Sequence, residues 1–188
     1  MPLRIIKTAV PDVLIIEPEV FRDMRGFFLE TYNQKKYAEN GLDKTFVQDN
    51  HSHSSKGTLR GLHYQLNHPQ GKLVYVVHGE IFDVAVDIRR GSPTFGHWVG
   101  EVLSEKNNRL MFVPKGFAHG FCVLSDTADF MYKCTDLYHP EDDRGVNWSD
   151  ETLSIDWPIK DPILSDRDTL LPMLHDVPED LLPVYEVS

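Results

Sequence analysis

The strict alternation of residues 82–89 constrains the fold more than any other feature of this chain. Bulky apolar residues occupy every second position there, and polar or small residues fill the positions between them. A period of two is typical of a β-strand. Segments with the same strand preference, separated by glycine and proline, lie at 13–16, 27–32, 46–50, 72–77, 98–103, 110–113, 121–124 and 130–138. So many short strands, with almost no helix, predict an all-β sandwich or barrel.

Turn and cap residues predict the path between these strands. Asn33 is a predicted N-cap for a short helix over residues 34–40, which Gly41 would end. The His-Gly pair at 78–79 is predicted to form a two-residue hairpin turn. Residues 51–57 are rich in histidine and serine, and they predict a polar loop.

The chain is long enough for one domain, and its composition changes near residue 150. Repeated X-Pro pairs interrupt the sequence after that point, so no long element is expected there. We therefore predict a core barrel over about 45–140 and an extended, partly helical tail over about 150–188 that packs on it. Residues 1–188 are expected to form a single domain.

Composition and charge argue against several classes of partner. A hydrophobic content of 41% is ordinary for a folded domain with a core. The formal net charge of −10 argues against nonspecific binding to nucleic acid or to anionic membranes. Neither a secretory h-region nor an apolar run of membrane-spanning length is seen. Cys122 and Cys134 form no CxxC motif and are expected to be reduced core thiols in a cytoplasmic protein.

The segment 59–65, Leu-Arg-Gly-Leu-His-Tyr-Gln, contains the strongest candidates for catalytic groups. His63 is a candidate base among residues with strand preference, Arg60 is a fixed cation, and Lys72 is a mobile cation shortly afterwards. This set suits the removal of a proton from an anionic substrate. The alternative is that His63 is a partly buried sheet residue and Arg60 a solvated charge.

A second motif, Pro-x-Gly-x-x-His at 114–119, resembles the second half of the cupin signature. In the first half, His63 fits, but Gln65 stands where a second histidine would, and residues 66–71 contain no glutamate. A divalent transition metal is usually bound by three or four N, O or S ligands, and this pattern provides only two candidate ligands, His63 and His119. We therefore predict a cupin-like double-stranded β-helix, or jelly-roll barrel, with short helices and without a metal site.

Three further side chains admit a structural and a chemical interpretation. Tyr132 and Tyr138 are an even number of residues apart, so one strand over 130–138 would place both on one face, roughly 20 Å apart. They are either aromatic filler of the barrel wall, or a phenol near the chemistry and an aromatic platform further out. Asp168 ends the pattern Ser-x-x-Asp, so it either belongs to a helix cap or orients a histidine.

Two arginines conflict with simple alternation. Arg25 and Glu30 would lie on opposite faces of a regular strand, and so would Arg60 and His63. Each arginine precedes a glycine. A β-bulge at each glycine would bring both members of a pair to one face.

Taken together, these stretches closely resemble the dTDP-4-dehydrorhamnose 3,5-epimerase family. The pieces that carry the resemblance lie at 23–30 (DMRGFFLE), 46–51 (FVQDNH), 57–65 (GTLRGLHYQ), 71–74 (GKLV), 82–89 (FDVAVDIR), 113–121, 132–133 (YK) and 143–145 (DRG). Each piece alone is weak evidence, but their order along residues 4–172 is highly specific.

The resemblance implies a dimeric, metal-independent and cofactor-free jelly-roll epimerase in the pathway to activated rhamnose. Its substrate would be a dTDP-linked 4-keto-6-deoxy sugar, inverted at C3 and C5. The matching roles are base for His63, support of that base for Asp168, acid for Tyr132, and contact with the keto oxygen for Lys72. Substrate-binding positions are matched by Arg25, Glu30, Gln48, Asp49, Asn50, Arg60, Lys72, His119, Tyr138, Asp143 and Arg167.

Two of these positions depart from the family pattern. Arg167 stands where many relatives have lysine, and Asp143 stands where glutamate is often found. Both changes keep the charge and alter the reach of the side chain. Tyr138 matches the residue that stacks on thymine, and it keeps its family identity.

The implied chemistry is consistent with the residue types. A C4 carbonyl acidifies the protons at C3 and C5, and a neutral histidine, with an ordinary pKa of about 6.5, removes such protons near neutral pH. The alternatives are an epimerase that inverts only C3, or a ketoisomerase of another deoxysugar pathway. A metal-dependent cupin oxygenase is disfavoured by Gln65, and a non-catalytic sugar-nucleotide binder is disfavoured by the presence of both a base and an acid.

Overall fold

Alternating burial along the strands divides the chain between two antiparallel sheets. The computed structural model describes residues 3–186. Its strands are β1 (Leu3–Lys7), β2 (Leu14–Pro18), β3 (Val20–Asp23), β4 (Gly26–Leu29), β5 (Gln48–Ser55), β6 (Leu59–Gln65), β7 (Lys72–His78), β8 (Glu80–Asp87), β9 (Trp98–Ser104), β10 (Leu110–Val113), β11 (Phe117–Val123), β12 (Thr127–Cys134) and β13 (Asp143–Gly145). One sheet has the order β1-β2-β10-β7-β12-β5, and the other has the order β13-β6-β11-β8-β9. The predicted all-β, cupin-like jelly-roll barrel is confirmed.

Helices are short and lie outside the sheets. The predicted helix is confirmed as α1 (Gln34–Glu39), where the Asn33 side chain accepts a hydrogen bond from the Lys36 amide at 3.2 Å. A second helix, α2 (Asp166–Thr169), lies in the tail. Short 3-10 turns cover Pro140–Asp142, Leu174–Asp176 and Glu179–Leu181. None of the helices within residues 3–186 is both long and apolar enough to cross a membrane.

Three buried apolar clusters hold these layers together. The largest lies between the sheets and includes Phe130 of β12 and Phe121 of β11. A second covers the outer face of the six-stranded sheet, where Tyr37 of α1 is packed. The third covers the outer face of the five-stranded sheet, where the tail contributes Leu174 and Val177. Burial of apolar side chains of this size contributes about 1.5–3 kcal/mol each, so the tail is fixed to the five-stranded sheet.

The predicted hairpin at residues 78–79 is wrong, because β7 and β8 belong to different sheets. Gly79 has φ +81°, and a Cβ there would lie 2.1 Å from the Thr127 carbonyl oxygen. The glycine therefore lets the chain cross from one sheet to the other at a point too crowded for a side chain. The predicted loop over 51–57 is also wrong in most of its length, since β5 continues to Ser55 and pairs with β12.

The β3–β4 hairpin stands apart from both sheets. Its register is regular, with Asp23 opposite Gly26, so the predicted bulge at Gly26 is wrong and Arg25 lies in the turn itself. The hairpin exposes large apolar side chains, with 55% of Phe27 and 63% of Phe28 accessible to solvent. An apolar surface of this kind is unusual on an isolated chain.

Candidate active site

A cavity of about 620 Å³ opens between the two sheets. This volume is within the ordinary range for sites that bind small molecules. The predicted site residues that line it are Gln48, Asn50, Arg60, His63, Lys72, His119, Tyr132, Tyr138, Asp143, Arg167 and Asp168. Most of the set predicted from the sequence therefore converges on one place.

A β-bulge in β6 brings Arg60 and His63 to this cavity. His63 is opposite His119 of β11, and Arg60 is opposite Phe121, so two residues of β6 face a single residue of β11. Gly61 lies in the bulge with φ +116°, and a Cβ there would lie 2.6 Å from the His119 carbonyl oxygen. The predicted bulge at this glycine is thus confirmed, and it resolves the conflict with alternation.

His63 forms a short hydrogen bond with Asp168, 2.6 Å from Nε2 to Oδ1. Asp168 lies in α2, where its backbone amide donates to the Ser165 hydroxyl at 3.1 Å. The capping interpretation and the dyad interpretation of this residue therefore both hold. Because an ionised carboxylate only accepts, His63 donates from Nε2 and keeps Nδ1 as its basic nitrogen. Burial of Asp168 opposes ionisation, but its bond with His63 and its other hydrogen bonds outweigh this and lower the pKa of the carboxyl group.

A second histidine–aspartate pair lies beside the first. His119 Nε2 is 2.9 Å and 3.1 Å from the two carboxylate oxygens of Asp83, and both residues are buried. Sequence reasoning did not identify Asp83 as a site residue. The alternation over 82–89 could have revealed it. Asp83 shares a face of β8 with Ala85, which belongs to the cluster between the sheets, whereas Val84 and Val86 lie on the other face and pack under the tail.

The wall opposite His63 carries a phenol and an ammonium group. Tyr132 of β12 is paired with Asn50 of β5 and Val74 of β7. Burial raises the pKa of the Tyr132 phenol, so it remains protonated at neutral pH. Lys72 begins β7, and burial lowers the pKa of its ammonium group. The six-stranded sheet thus places a phenol and an amine at the cavity whose other wall carries His63.

Polar contacts organise the outer end of the cavity around Tyr138. The predicted strand over 130–138 ends earlier, at Cys134, so Tyr138 belongs to the following segment and is half exposed. Its hydroxyl group donates to Asp143 at 2.8 Å, and its backbone amide donates to the Gln48 side chain at 2.8 Å. Arg167 forms an ion pair with the same carboxylate of Asp143.

Arg60 lies at the same cavity with its guanidinium group held on one side. The Ser54 hydroxyl accepts from Nε at 3.2 Å and from a terminal nitrogen at 3.1 Å. Ser54 is buried on the cavity side of β5, and the sequence analysis did not single it out. These contacts leave donors of the fork free to bind an anion.

Three predicted substrate-binding residues are not among those that line this cavity. Each forms an ion pair elsewhere: Arg25 with Asp23 at 2.6 Å, Glu30 with Lys36 at 2.6 Å, and Asp49 with Lys133 at 2.9 Å. Arg25 and Glu30 lie in and just beyond the β3–β4 hairpin. Asp49 lies between two cavity-lining residues of β5, so it points to the outer face.

The two histidines of the cupin pattern each bind an aspartate through Nε2. Within residues 3–186, no group of three histidine, cysteine, aspartate or glutamate side chains is arranged to hold a metal ion. Gln65, at the second metal position of the cupin pattern, donates its amide to the carbonyl oxygens of His68 and Leu137.

Comparison with known proteins agrees with this geometry. The family model for dTDP-4-dehydrorhamnose 3,5-epimerase matches residues 7–176. The chain is 59% identical to the enzyme of that name from Shigella flexneri, over 88% of this chain and 93% of the relative, and 58% identical to that from Pseudomonas aeruginosa, over 86% and 91%. The crystal structure of dTDP-6-deoxy-D-glucose-3,5-epimerase from Legionella pneumophila, in complex with dTDP-4-keto-L-rhamnose, superposes with a TM-score of 0.96 at 53% identity and covers 99% of this chain and 100% of its own. The chain belongs to the dTDP-4-dehydrorhamnose 3,5-epimerase family.

Proposed function

We propose that this protein inverts C3 and C5 of dTDP-4-dehydro-6-deoxy-D-glucose to give dTDP-4-dehydro-L-rhamnose, without a metal or a redox cofactor. One observation carries the proposal: the candidate base His63 and the candidate acid Tyr132 line one cavity from different sheets. Inversion requires a base and an acid on opposite sides of the sugar, because a proton must leave one face and another must arrive at the opposite face. The names of the relatives point to the same reaction.

In the first step, His63 takes a proton from the carbon next to the C4 carbonyl. The bond to Asp168 holds the imidazole in one tautomer and stabilises the imidazolium that forms. The resulting enolate carries its charge on the former carbonyl oxygen. Lys72, on the opposite wall, supplies the positive charge that stabilises this oxygen.

In the second step, Tyr132 gives its phenolic proton to the other face of the same carbon. Solvent then reprotonates the phenolate and accepts the proton held by the His63 imidazolium, so both groups return to their starting states. The raised pKa of Tyr132 keeps the phenol protonated before this step. The sequence of removal and return is carried out at C3 and at C5. No electron leaves the sugar, so the reaction needs no redox partner.

The remaining cavity residues bind the nucleotide. Arg60 is suited to the diphosphate, because its planar fork matches phosphate oxygens. Tyr138 offers its half-exposed ring as a platform for thymine, and the Asp143–Arg167 pair fixes the hydroxyl end of that ring. Gln48 and Asn50 border the same end, where the Gln48 amide nitrogen donates to the Asn50 amide oxygen at 3.1 Å.

The proposal includes a homodimer in which the β3–β4 hairpin of one protomer reaches the cavity of the other. This arrangement explains why Arg25 and Glu30 lie away from the cavity of their own chain, and why Phe27 and Phe28 are exposed. It also includes a cytoplasmic location, with no nucleic acid or membrane as partner. Burial of both cysteines, which form no disulfide, supports a reducing compartment.

Mixing inactive variants tests the dimer. Arg25→Ala removes the hairpin contribution, and His63→Ala removes the base, so each homodimer is expected to be inactive. A mixture that exchanges subunits should regain activity, because one of its two cavities then receives an intact His63 and an intact hairpin. A monomer by sedimentation analysis, or no recovery in a mixture shown to exchange, would rule out the shared cavity.

Incubation of the substrate with the wild-type protein in D2O tests the reaction itself. We expect NMR of the product to show deuterium and inverted configuration at both C3 and C5. Deuterium and inversion at C3 alone would establish the C3-only epimerase instead. A protein that binds dTDP but exchanges neither position would be a non-catalytic binder, and the proposal would be wrong.

Tyr132→Phe tests the division of roles between the two walls. Without the phenol, His63 still forms the enolate and can return solvent deuterium from its own side. Inversion should therefore fall by about 10²–10⁴-fold, while deuterium wash-in falls less. Tyr37→Phe is the matched control, because Tyr37 is a buried tyrosine outside the cavity whose hydroxyl donates to the Thr31 carbonyl at 2.8 Å. Equal loss of wash-in and inversion would mean that Tyr132 acts before the enolate forms.

A further inference from the structure

Gln65 makes a set of contacts that the proposed reaction does not explain. It ends β6, two residues after His63, and only 5% of it is exposed. Its amide nitrogen donates to the carbonyl oxygens of His68 at 2.7 Å and Leu137 at 3.1 Å, and its amide oxygen accepts from the His139 backbone amide at 2.8 Å. One buried side chain thus joins the segment after β6 to the segment after β12.

The two contacts to the second segment enclose Tyr138. Gln65 binds the backbone of the residue before Tyr138 and of the residue after it, while Gln48 binds the amide of Tyr138 itself. Residues 136–139 belong to neither sheet, so ladder hydrogen bonds do not fix their backbone. Two glutamine side chains take over that function for Leu137–His139.

We propose that Gln65 is a positioning residue that holds the Tyr138 ring in place for the nucleobase of the substrate. The inference rests on the proposed function, in which Tyr138 is the platform for thymine. It gives Gln65 a role in nucleotide affinity at a position where the cupin pattern would have a metal ligand.

The physical reason is the cost of ordering an exposed aromatic side chain when the ligand arrives. A platform that is already fixed loses little conformational entropy on binding, whereas a mobile segment loses more and binds more weakly. The Tyr138 hydroxyl bond to Asp143 fixes the far end of the ring. Gln65 fixes the backbone at its near end, so the ring is held at both ends before the nucleotide binds.

Gln65→Met tests the proposal, because methionine has a similar volume but can neither donate nor accept these bonds. With dTDP as the probe in calorimetry, we expect Kd to rise about tenfold, since two hydrogen bonds to the platform segment are lost. KM for the nucleotide sugar should rise by a similar factor, and kcat should stay within about twofold, since the base and the acid are untouched.

A double-mutant cycle separates positioning from general damage. In a Tyr138→Ala background there is no ring to position, so Gln65→Met should change Kd for dTDP by less than about twofold. The same factor in both backgrounds would overturn the proposal. So would a fall in kcat with unchanged Kd and KM.

Asn107→Leu is the matched control for loss of a structural amide. Asn107 bonds three backbone groups in the turn between β9 and β10: it accepts from Ser104 at 3.1 Å and Arg109 at 3.0 Å, and donates to Val102 at 2.8 Å. It is not among the residues that line the cavity. This variant should lower Tm and leave Kd for dTDP unchanged. If it weakens dTDP binding as much as Gln65→Met does, the effect of Gln65 is not specific.

Gln65→Glu gives a second readout should the methionine variant fail to fold. An ionised carboxylate would face two carbonyl oxygens, whereas the protonated acid can donate to one of them. Affinity for dTDP should therefore recover as pH falls from 8 to 5 in this variant, relative to wild type. A parallel pH profile would contradict the proposal. All binding tests are made without turnover, so an absent epimerase reaction in wild type would refute the proposed function alone.

Discussion

The two histidine–aspartate pairs of the barrel have the same side chains and differ in how they are built. His63 and His119 are directly opposite each other on β6 and β11. In the first pair, 27% of the His63 side chain is exposed and Asp168 comes from the tail. In the second, His119 is 6% exposed and Asp83 comes from β8, the strand next to β11. Both imidazoles line the cavity, but His63 is the more exposed of the two and His119 is almost fully buried.

Under the proposed mechanism, greater exposure in the cavity, rather than the presence of a carboxylate partner, distinguishes the base His63 from His119. Both imidazoles use Nε2 to bind an aspartate. His63 combines this support with exposure to the cavity, which proton transfer to a substrate requires. His119 and Asp83 satisfy one another in the interior, where an unpaired polar group would be costly.

Replacement of each histidine by alanine is expected to produce the largest effect and to separate the pairs. His63→Ala should lower kcat by about 10²–10⁴-fold or more, because the base is lost. Calorimetry should show that it still binds dTDP close to the wild-type affinity. His119→Ala should keep more of kcat, but lower Tm and raise KM, because it leaves Asp83 buried without its partner.

A steady-state assay coupled to an NADPH-dependent reductase and a thermal melt measure these outcomes side by side. Substantial epimerisation by His63→Ala would refute its assignment as base. If His119→Ala lost kcat as completely as His63→Ala while keeping its Tm, the His119–Asp83 pair would take part in the chemistry and would not be merely structural.

Replacement of Asp168 and of Asp83 should separate catalysis from stability in the same way as replacement of the histidines, with smaller effects. Asp168→Asn removes the negative charge that fixes the tautomer of His63, so we expect kcat to fall by about 10²-fold with a modest change in Tm. Asp83→Ala leaves His119 without a partner in the interior, which is expected to cost about 1–3 kcal/mol of the free energy of unfolding. Denaturant unfolding and steady-state kinetics of both variants check this. Equal losses of kcat would show that the pairs act as one unit.

Chelation is expected to have the smallest effect. Both histidines that the cupin pattern assigns to a metal are bound to aspartates, and the amide of Gln65 is used by the backbone. Activity should therefore survive dialysis against EDTA unchanged. Loss of turnover that one divalent ion restores would show that a metal takes part. The two histidine–aspartate pairs would then have to be reinterpreted as metal ligands.

Much of the site follows from strand periodicity in the sequence. The conflict between Arg60 and His63 pointed to a bulge, and the structure has it at Gly61. The same rule places Asp49 on the opposite face from its cavity-lining neighbours Gln48 and Asn50, and its ion pair lies outside the cavity. Where a residue belongs to a regular strand, its face is predictable, because successive side chains alternate.

Other features depend on tertiary contacts that periodicity does not encode. The crossing at Gly79 is set by crowding against Thr127 in a strand far along the chain. The end of β12 before Tyr138, and the pairing of Asp83 with His119, depend on which strands become neighbours. In each case the deciding partner is remote in sequence.

The origin of Asp168 in the tail has a consequence for when the protein becomes active. His63 and Asp168 are 105 residues apart in the chain, so the dyad closes a very long loop and is absent from the barrel strands alone. During synthesis, β6 is complete long before α2 emerges. Under the proposed mechanism, full activity is therefore acquired only at the last stage of folding, and a chain with an undocked tail keeps His63 but lacks the carboxylate that supports it.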